Sequence, residues 1–265
     1  MNPPLPFVRE TGAGASVVCI HSNASSSSQW RALMDLLAPE YRVMAPDSYG
    51  SGKSPDWRSD RVISLADEVA LIEPLLAPAQ SPVTLVGHSY GAAVALKAAL
   101  MFPARVRALA LYEPTLFALV DAAEPPPNQA DGIRNAVHAA AASLDAGDLH
   151  SAAQAFIDYW MGAGSWERTP ANRRQPIAES VVNVRRWAHA LFTEPAGIDE
   201  FRRIDAPVLY MVGKRSTASA HGVADILIPA LPKVRTVAFE GLGHMGPITH
   251  PDVVNAEIKG FLAQV

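Results

Sequence analysis

The sequence predicts an α/β protein: a doubly wound, mostly parallel sheet flanked by helices, with one helical insertion. Short apolar runs rich in β-branched residues recur along the chain, as expected of strands that are covered on both faces of a parallel sheet. Ala- and Leu-rich stretches separate these runs, and the alternation is typical of βαβ units with right-handed crossovers. The chain has 265 residues, of which 49% are hydrophobic, enough for one such domain with an insertion.

Each predicted element follows from its local composition. The predicted strands are SVVCIH (16–21), RVMAPD (42–47), PVTLVGHS (82–89), VRALALYE (106–113), PVLYMVG (207–213) and KVRTVAFE (233–240). The predicted helices cover about 27–38, 64–77, 90–102, 218–230 and 251–264.

The alternation is interrupted once, over residues 117–200, where the sequence predicts helices and no clear strand. An insertion of this length between two strands of one sheet has to lie outside the sheet, over one of its ends. We therefore expect a core of residues 1–116 and 201–265 and a helical cap of residues 117–200. Most aromatic residues of the cap should form its own core, and a few should line a pocket beneath it.

Composition and charge exclude several classes of partner. The net charge of −4 is spread along the chain, without the basic run that nucleic acid or an anionic membrane would require. The first ten residues lack the pattern of a secretory signal, and no apolar run approaches the ~18 residues of a membrane span. The single cysteine, Cys19, lies in a predicted strand and should be buried and inert. We expect a cytoplasmic protein, and the sequence leaves its oligomeric state open.

The most informative motif is Gly87-His88-Ser89-Tyr90-Gly91, which matches G-x-S-x-G between a predicted strand and a predicted helix. The turn from strand to helix in this motif is so tight that its central residue is strained, and the glycines remove clashing Cβ atoms. The motif therefore predicts a nucleophilic hydroxyl on Ser89 that projects at the carboxyl edge of the sheet.

With this motif in this position, the sequence resembles the α/β-hydrolase fold family, in its capped, serine-nucleophile branch. The resemblance extends from VVCIHSNASSSSQW to the last predicted helix. It implies that the cap follows the sixth strand of the usual family order. It also implies catalytic residues in the order serine, acid, histidine.

The resemblance places the catalytic histidine in EGLGHMGPITHPD, on the Gly-rich loop after the last predicted strand. His244 lies on this loop, and a neutral imidazole there would accept the serine proton and later return it. His250 is the competing candidate. We favour His244 because His250 precedes Pro251, and this pair is typical of a helix start. His21 and His88 are expected to form structural hydrogen bonds.

The position of the catalytic acid is harder to predict than that of the serine or the histidine. Most relatives have it after the strand that corresponds to 207–213, about where Ser216 stands, and the chain has no carboxylate between Asp205 and Asp225. The same fold is known to use an alternative position at the end of the preceding strand, which Glu113 occupies. In the usual strand order that strand lies between the strand leading to Ser89 and the 207–213 strand.

We therefore predict Glu113 as the acid. Pro114 should favour an extended backbone at Glu113, continuing the strand. The alternative is a solvated strand-end glutamate, with Asp225 or no acid in its place.

Two further stretches have predicted roles. In His21-Ser22-Asn23, Ser22 replaces the glycine that is usual in the family, and the resemblance implies that the backbone N–H groups of Asn23 and Tyr90 bind the oxyanion. The stretch PDSYGSGKSP is not a phosphate-binding loop, because that motif requires glycine where Asp47 stands. We expect it to be a structural turn, without a nucleotide.

These residues together predict a serine hydrolase. It would cleave a small to medium, mainly apolar ester, lactone or thioester through an acyl-enzyme, with no metal and no organic cofactor. Haloalkane dehalogenases and epoxide hydrolases share the fold but have aspartate where Ser89 stands, which argues against both. Carbon–carbon bond hydrolases, perhydrolases, lyases with the same triad, and a non-catalytic ligand receptor remain open alternatives.

Overall fold

The computed structural model describes residues 5–76 and 81–265, and in these ranges seven strands form one sheet of order β1-β3-β2-β4-β5-β6-β7. Strand β1 is antiparallel to β3, and the other neighbouring strands are parallel. The strands are β1 (Val8–Thr11), β2 (Ala15–Ile20), β3 (Tyr41–Pro46), β4 (Val83–His88), β5 (Val106–Tyr112), β6 (Val208–Gly213) and β7 (Val234–Phe239).

Helices cover both faces of the sheet. The core helices are α1 (Arg31–Leu37), α2 (Leu65–Ile72), α3 (Tyr90–Met101), α11 (Ala218–Leu227), α12 (Gly246–Thr249) and α13 (Pro251–Leu262). Side chains of α1 and α13 pack on one face of the sheet, and those of α2, α3 and α11 pack on the other. Strand β5 shows the alternation that this requires, since Ala108 and Ala110 face the first layer, and Leu109 and Leu111 face the second.

The segment between β5 and β6 is helical, as predicted. Its helices are α4 (Phe117–Ala123), α5 (Asp131–Asp145), α6 (Leu149–Met161), α7 (Ser165–Arg168), α8 (Ala171–Val181), α9 (Val184–Phe192) and α10 (Ile198–Phe201). We refer to residues 117–200 as the helical insertion. It follows the fifth strand of this chain, β5.

The predicted strands agree with the structure to within one or two residues at each end. The sequence did not predict β1, whose four residues are mostly half-buried and pair only at the edge of the sheet. The predicted helix 64–77 is observed as α2 followed by a 3-10 turn, Glu73–Leu75, and residue 77 lies outside the described ranges. The first four residues of the chain also lie outside them. Among the described helices, none combines the length and the apolar character that crossing a bilayer would require.

The start of α3 lies unusually close to β2. A Cβ atom added to Gly91 would lie 2.2 Å from the Ile20 carbonyl oxygen and 2.6 Å from that of His21. Both contacts are with backbone, so the approach could not be relieved by a side-chain movement. This packing sets the distance between the β4–α3 turn and the loop that follows β2.

We expect Gly91→Ala to lower the free energy of unfolding by about 2 kcal/mol or more, because the added methyl group overpacks two carbonyl groups. The matched control is Gly260→Ala in α13, where an added Cβ meets no heavy atom within 4 Å. That substitution should stabilise the protein by up to ~1 kcal/mol through helix propensity. Urea denaturation measures the free energy of unfolding of both variants. Equal effects of the two substitutions would contradict the close packing described for the start of α3.

A carboxyl group is buried in the layer beneath the β4–α3 turn. Glu68 of α2 is 2% exposed, accepts a hydrogen bond from the Tyr49 N–H at 3.2 Å and another from the Tyr90 hydroxyl at 3.3 Å. Burial raises the pKa of Glu68 to about 8, and these two hydrogen bonds only partly oppose the effect of burial.

This raised pKa predicts a pH-dependent stability. Between pH 4.5, the ordinary value, and about 8, the folded protein holds a proton on Glu68 that the unfolded chain has released. The free energy of unfolding should therefore fall as pH rises through this window, by up to about 1.4 kcal/mol per pH unit from this group. Glu68→Gln should remove that contribution. Urea midpoints measured across the window test it, and an identical pH profile for both proteins would be the contrary result.

Candidate active site

Ser89 occupies the turn between β4 and α3 in a strained conformation. Its φ of 56° and ψ of −117° lie in a region that residues other than glycine rarely adopt. The backbone is held there because the Ser89 N–H donates to the Tyr112 carbonyl at 2.9 Å and the Ser89 carbonyl accepts from the N–H groups of Ala92 and Ala93. The predicted strand–turn–helix context of Ser89 is therefore present, at the carboxyl end of β4.

The structure brings Ser89, His244 and Glu113 together in one hydrogen-bonded chain. His244 Nε2 lies 2.8 Å from Ser89 Oγ, and His244 Nδ1 lies 2.6 Å from Glu113 Oε2. The side chains are almost fully buried, with Ser89, His244 and Glu113 exposed by 5%, 2% and 0%. Because the carboxylate can only accept, it selects the tautomer in which Nδ1 carries the proton and Nε2 accepts from the serine hydroxyl.

Glu113 accepts two further hydrogen bonds. The Gly213 N–H donates to Oε1 at 2.7 Å, and the Ser216 hydroxyl donates to Oε2 at 2.6 Å. Ser216, which stands about where the resemblance implied an acid, thus donates to a carboxylate that comes from the neighbouring strand. The alternative carboxylate, Asp225, is exposed on α11.

The predicted backbone conformation of Glu113 is wrong. We expected an extended residue before Pro114, but β5 ends at Tyr112 and Glu113 has a φ of 44°, in the left-handed region. The proline favours extended backbone for its predecessor, and tertiary contacts of Glu113 override this local preference here. The Glu113 N–H still donates to the Met211 carbonyl at 3.0 Å, and the carboxylate reaches its three donors.

The loop that carries His244 is held by two side chains from the core. His88 Nε2 donates to the His244 carbonyl at 2.8 Å, and the Tyr112 hydroxyl donates to the Gly243 carbonyl at 2.8 Å. Burial lowers the pKa of His88 well below its ordinary value, and the neighbouring His244 lowers it further, so His88 is neutral. Its Nδ1 accepts from the Gln29 side-chain amide at 3.1 Å. His88 therefore has the structural role predicted for it.

The competing histidine lies elsewhere. His250 is exposed, contacts the Thr249 hydroxyl at 2.9 Å and immediately precedes the first residue of α13, Pro251. This is the helix start that the sequence predicted.

The two residues predicted to supply oxyanion donors flank Ser89. Tyr90 is the first residue of α3, so its N–H has no carbonyl four residues earlier in the helix to bind. Asn23 lines two cavities that reach Ser89 and that are described below. Ser22, the residue in place of the usual glycine, donates through its N–H and its hydroxyl to Gln29 Oε1, and the left-handed residue of this loop is Ala24, with a φ of 52°.

The remaining motif residues are structural, as predicted. Asp47 Oδ1 accepts from the Ser27 N–H at 2.6 Å, and Oδ2 accepts from the Lys53 N–H at 2.8 Å. His21 Nε2 accepts from the Ser48 N–H at 3.0 Å. Cys19 is fully buried in β2, and this burial raises the pKa of its thiol.

A cavity of about 410 Å³ opens above Ser89 and His244. Its walls come from the loop after β2, from α12, and from α6, α7 and α8 of the helical insertion. A second cavity, of about 20 Å³, lies between Ser89 and helices α4, α5 and α9. Both cavities share Asn23, Ser89, Phe156 and Trp160.

The sequence did not predict the role of Trp160. Its ring stacks on the His244 imidazole, with centroids 3.8 Å apart and planes inclined by 23°. The sequence of the insertion contains several aromatic residues, and no spacing or motif distinguishes Trp160 as the one that reaches His244. Gln29 and Tyr112 were missed for the same reason, since their contacts with the site are made only after folding.

Known proteins resemble this chain over most of its length. The family model for the alpha/beta hydrolase fold matches residues 15–251. The lipase LipV of Mycobacterium tuberculosis is 31% identical over 264 residues, which cover 94% of this chain and 93% of the lipase. A pimeloyl-[acyl-carrier protein] methyl ester esterase of Nitrosomonas europaea is 24% identical, covering 92% of this chain and 94% of the esterase.

Solved structures show the same fold. An alpha/beta hydrolase from Sphaerobacter thermophilus superposes with a TM-score of 0.74 at 23% identity, over 97% of this chain and 95% of the other. The family match spans most of the chain, and the lipase matches nearly all of it. The chain therefore belongs to the α/β-hydrolase fold family, and it is a hydrolase of that family.

Proposed function

We propose that the protein is a serine hydrolase that cleaves a small to medium ester, lactone or thioester through an acyl-enzyme. The observation that carries this proposal is the hydrogen-bonded chain from Ser89 through His244 to Glu113, at the floor of the larger cavity. The lipase and methyl ester esterase names of two relatives that match nearly the whole chain favour an ester.

In the first half-reaction, Ser89 Oγ attacks the acyl carbon while its proton passes to His244 Nε2, 2.8 Å away. The imidazolium that forms is stabilised by Glu113, which also keeps the ring oriented. The backbone N–H groups of Asn23 and Tyr90 bind the negative charge that develops on the carbonyl oxygen. His244 then gives its proton to the leaving group, and the acyl group remains on Ser89.

In the second half-reaction, His244 takes a proton from water, and the resulting hydroxide attacks the acyl carbon. Collapse of the tetrahedral intermediate returns the proton to Ser89 Oγ and releases the acid. The burial of Ser89, His244 and Glu113 favours these steps, because hydrogen bonds and charges interact more strongly where water is excluded.

We infer that residues 1–116 and 201–265 form the catalytic core and that the helical insertion, residues 117–200, acts as a cap that selects the substrate. Three helices of the insertion (α6, α7 and α8) line the larger cavity, and four (α4, α5, α6 and α9) line the smaller one. The cavities differ greatly in volume and meet at Ser89. A substrate with one small apolar half and one larger half fits this arrangement best.

The test is turnover of a panel of short p-nitrophenyl esters, with a burst of nitrophenol equal to the enzyme concentration. Ser89→Ala and His244→Ala should each lower kcat by roughly 10⁴-fold, and the double variant should be little worse, because the residues act as a unit. The matched control, His250→Ala, changes the competing histidine and should retain activity. Circular dichroism should show all variants folded.

Two outcomes would contradict the proposal. One is retention of most activity in Ser89→Ala or His244→Ala. The other is ester binding without any release of nitrophenol in the unsubstituted protein, which would favour a lyase with the same triad or a ligand receptor.

A further inference from the structure

The wall of the larger cavity carries two positive charges and no negative one. Arg168, at the end of α7, and Arg173, in the first turn of α8, both line it, whereas no aspartate or glutamate does so among the described residues. Both arginines are exposed, which places them toward the mouth of the cavity, whose floor is formed by the buried Ser89 and His244. The cavity is thus locally positive in a chain of net charge −4.

Arg168 is held by neutral groups. Its Nη2 donates to Ser165 Oγ at 2.9 Å and approaches the Ala163 carbonyl at 3.4 Å. Its guanidinium also packs over Gly164, where an added Cβ would lie 3.0 Å from Nη1. A guanidinium has five N–H donors, so these contacts orient Arg168 and leave other donors for a ligand.

Neighbouring carboxylates have other hydrogen-bond or ion-pair partners. Glu167, beside Arg168 in sequence, lies 3.2 Å from His150 and 3.8 Å from Arg174, and it does not line the cavity. Glu179 lies in an adjoining groove that also reaches Arg173. No ion pair of Arg168 or Arg173 occurs within residues 5–76 and 81–265.

The smaller cavity cannot receive a charged group. It is lined mainly by apolar side chains of the insertion and by no charged residue, and it encloses only about 20 Å³. Burying an ion there without a partner would be strongly unfavourable. A charge on the substrate therefore has to lie on the half that occupies the larger cavity.

We propose that the larger cavity selects esters whose larger half carries an anionic group, a carboxylate or a phosphate, remote from the scissile bond. Arg168 and Arg173 bind that group through charge-assisted hydrogen bonds, for which the forked guanidinium is suited. The hydroxyl of Ser25, which also lines the cavity, supplies a neutral donor beside it. This inference rests on the proposed ester hydrolysis, and it adds a substrate class to it.

The experiment compares methyl esters of linear acids of equal length that end in a methyl group, a carboxylate, a phosphate or a trimethylammonium group. The measured quantity is the ratio of kcat/KM for each charged ester to that of the methyl-terminated ester. We expect a ratio of about 10 or more for an anionic terminus and below 1 for the cationic one. Comparing the ratio for the carboxylate ester with that for the phosphate ester identifies which anion is preferred. The ratio should fall with added NaCl, because the arginines are exposed.

Arg168→Gln and Arg173→Gln should each lower the anionic ratio several-fold, and the double variant should bring it to about 1. The matched control is Arg58→Gln, which removes the same charge from an exposed arginine outside the cavity and should leave the ratio unchanged. Equal turnover of neutral and anionic esters, or an unchanged ratio in the double variant, would overturn the proposed selectivity while leaving ester hydrolysis in place.

A second measurement does not depend on turnover. Calorimetry with the Ser89→Ala variant should show tighter binding of the anionic methyl ester than of the methyl-terminated one, and adding both arginine substitutions should abolish the difference. If no ester is hydrolysed but this difference is found, the proposed reaction fails and the anionic subsite stands. If the difference is absent, the subsite is refuted whether or not esters are hydrolysed.

Discussion

A single buried carboxylate organises the reactive end of this molecule. Glu113 has no exposed surface, and removing an ion from water costs several kcal/mol unless hydrogen bonds replace its hydration. Three donors do so here: the Gly213 N–H, the Ser216 hydroxyl and the His244 ring. They come from the end of β6, the loop after β6 and the loop after β7. One charge at the end of β5 therefore ties together the loops that must meet for His244 to face Ser89.

Strain at Ser89 is the second constraint. Its backbone conformation is unfavourable by about 1–3 kcal/mol and persists only because the surrounding structure holds it. The central strand β4, the close contact of α3 with β2 and the hydrogen bond from the Ser89 N–H to Tyr112 provide that support. Tyr112 also holds the loop of His244 through its hydroxyl, so one residue of β5 positions both partners of the 2.8 Å Ser89–His244 contact.

The parts of the structure that the sequence predicted are those with a local physical cause. Strands buried on both faces have continuous apolar runs, which is why the five inner strands were found. The edge strand β7 was also found, from its β-branched and aromatic residues, although none of its residues is buried, and the half-exposed edge strand Val8–Thr11 was not. The proximity of Glu113 to His244 followed from strand order, since the carboxyl ends of adjacent parallel strands lie side by side. The left-handed backbone of Glu113 did not follow, because the rule for residues before proline favours extended backbone and the tertiary contacts that override it are made only in the folded chain. The stack of Trp160 on His244 and the two arginines of the cavity depend on the path of the insertion, which no sequence periodicity specifies.

The most direct test of the central role of Glu113 is the kcat of Glu113→Gln, measured alone and together with Ser216→Asp. The amide preserves the shape of the side chain but presents an N–H group as well as an oxygen, so it no longer enforces the tautomer that Ser89 requires, and kcat should fall by about 10²–10⁴-fold. Because Ser216 Oγ lies only 2.6 Å from Glu113 Oε2, an aspartate at position 216 should restore part of that loss. A Glu113→Gln enzyme with unimpaired kcat would contradict the account.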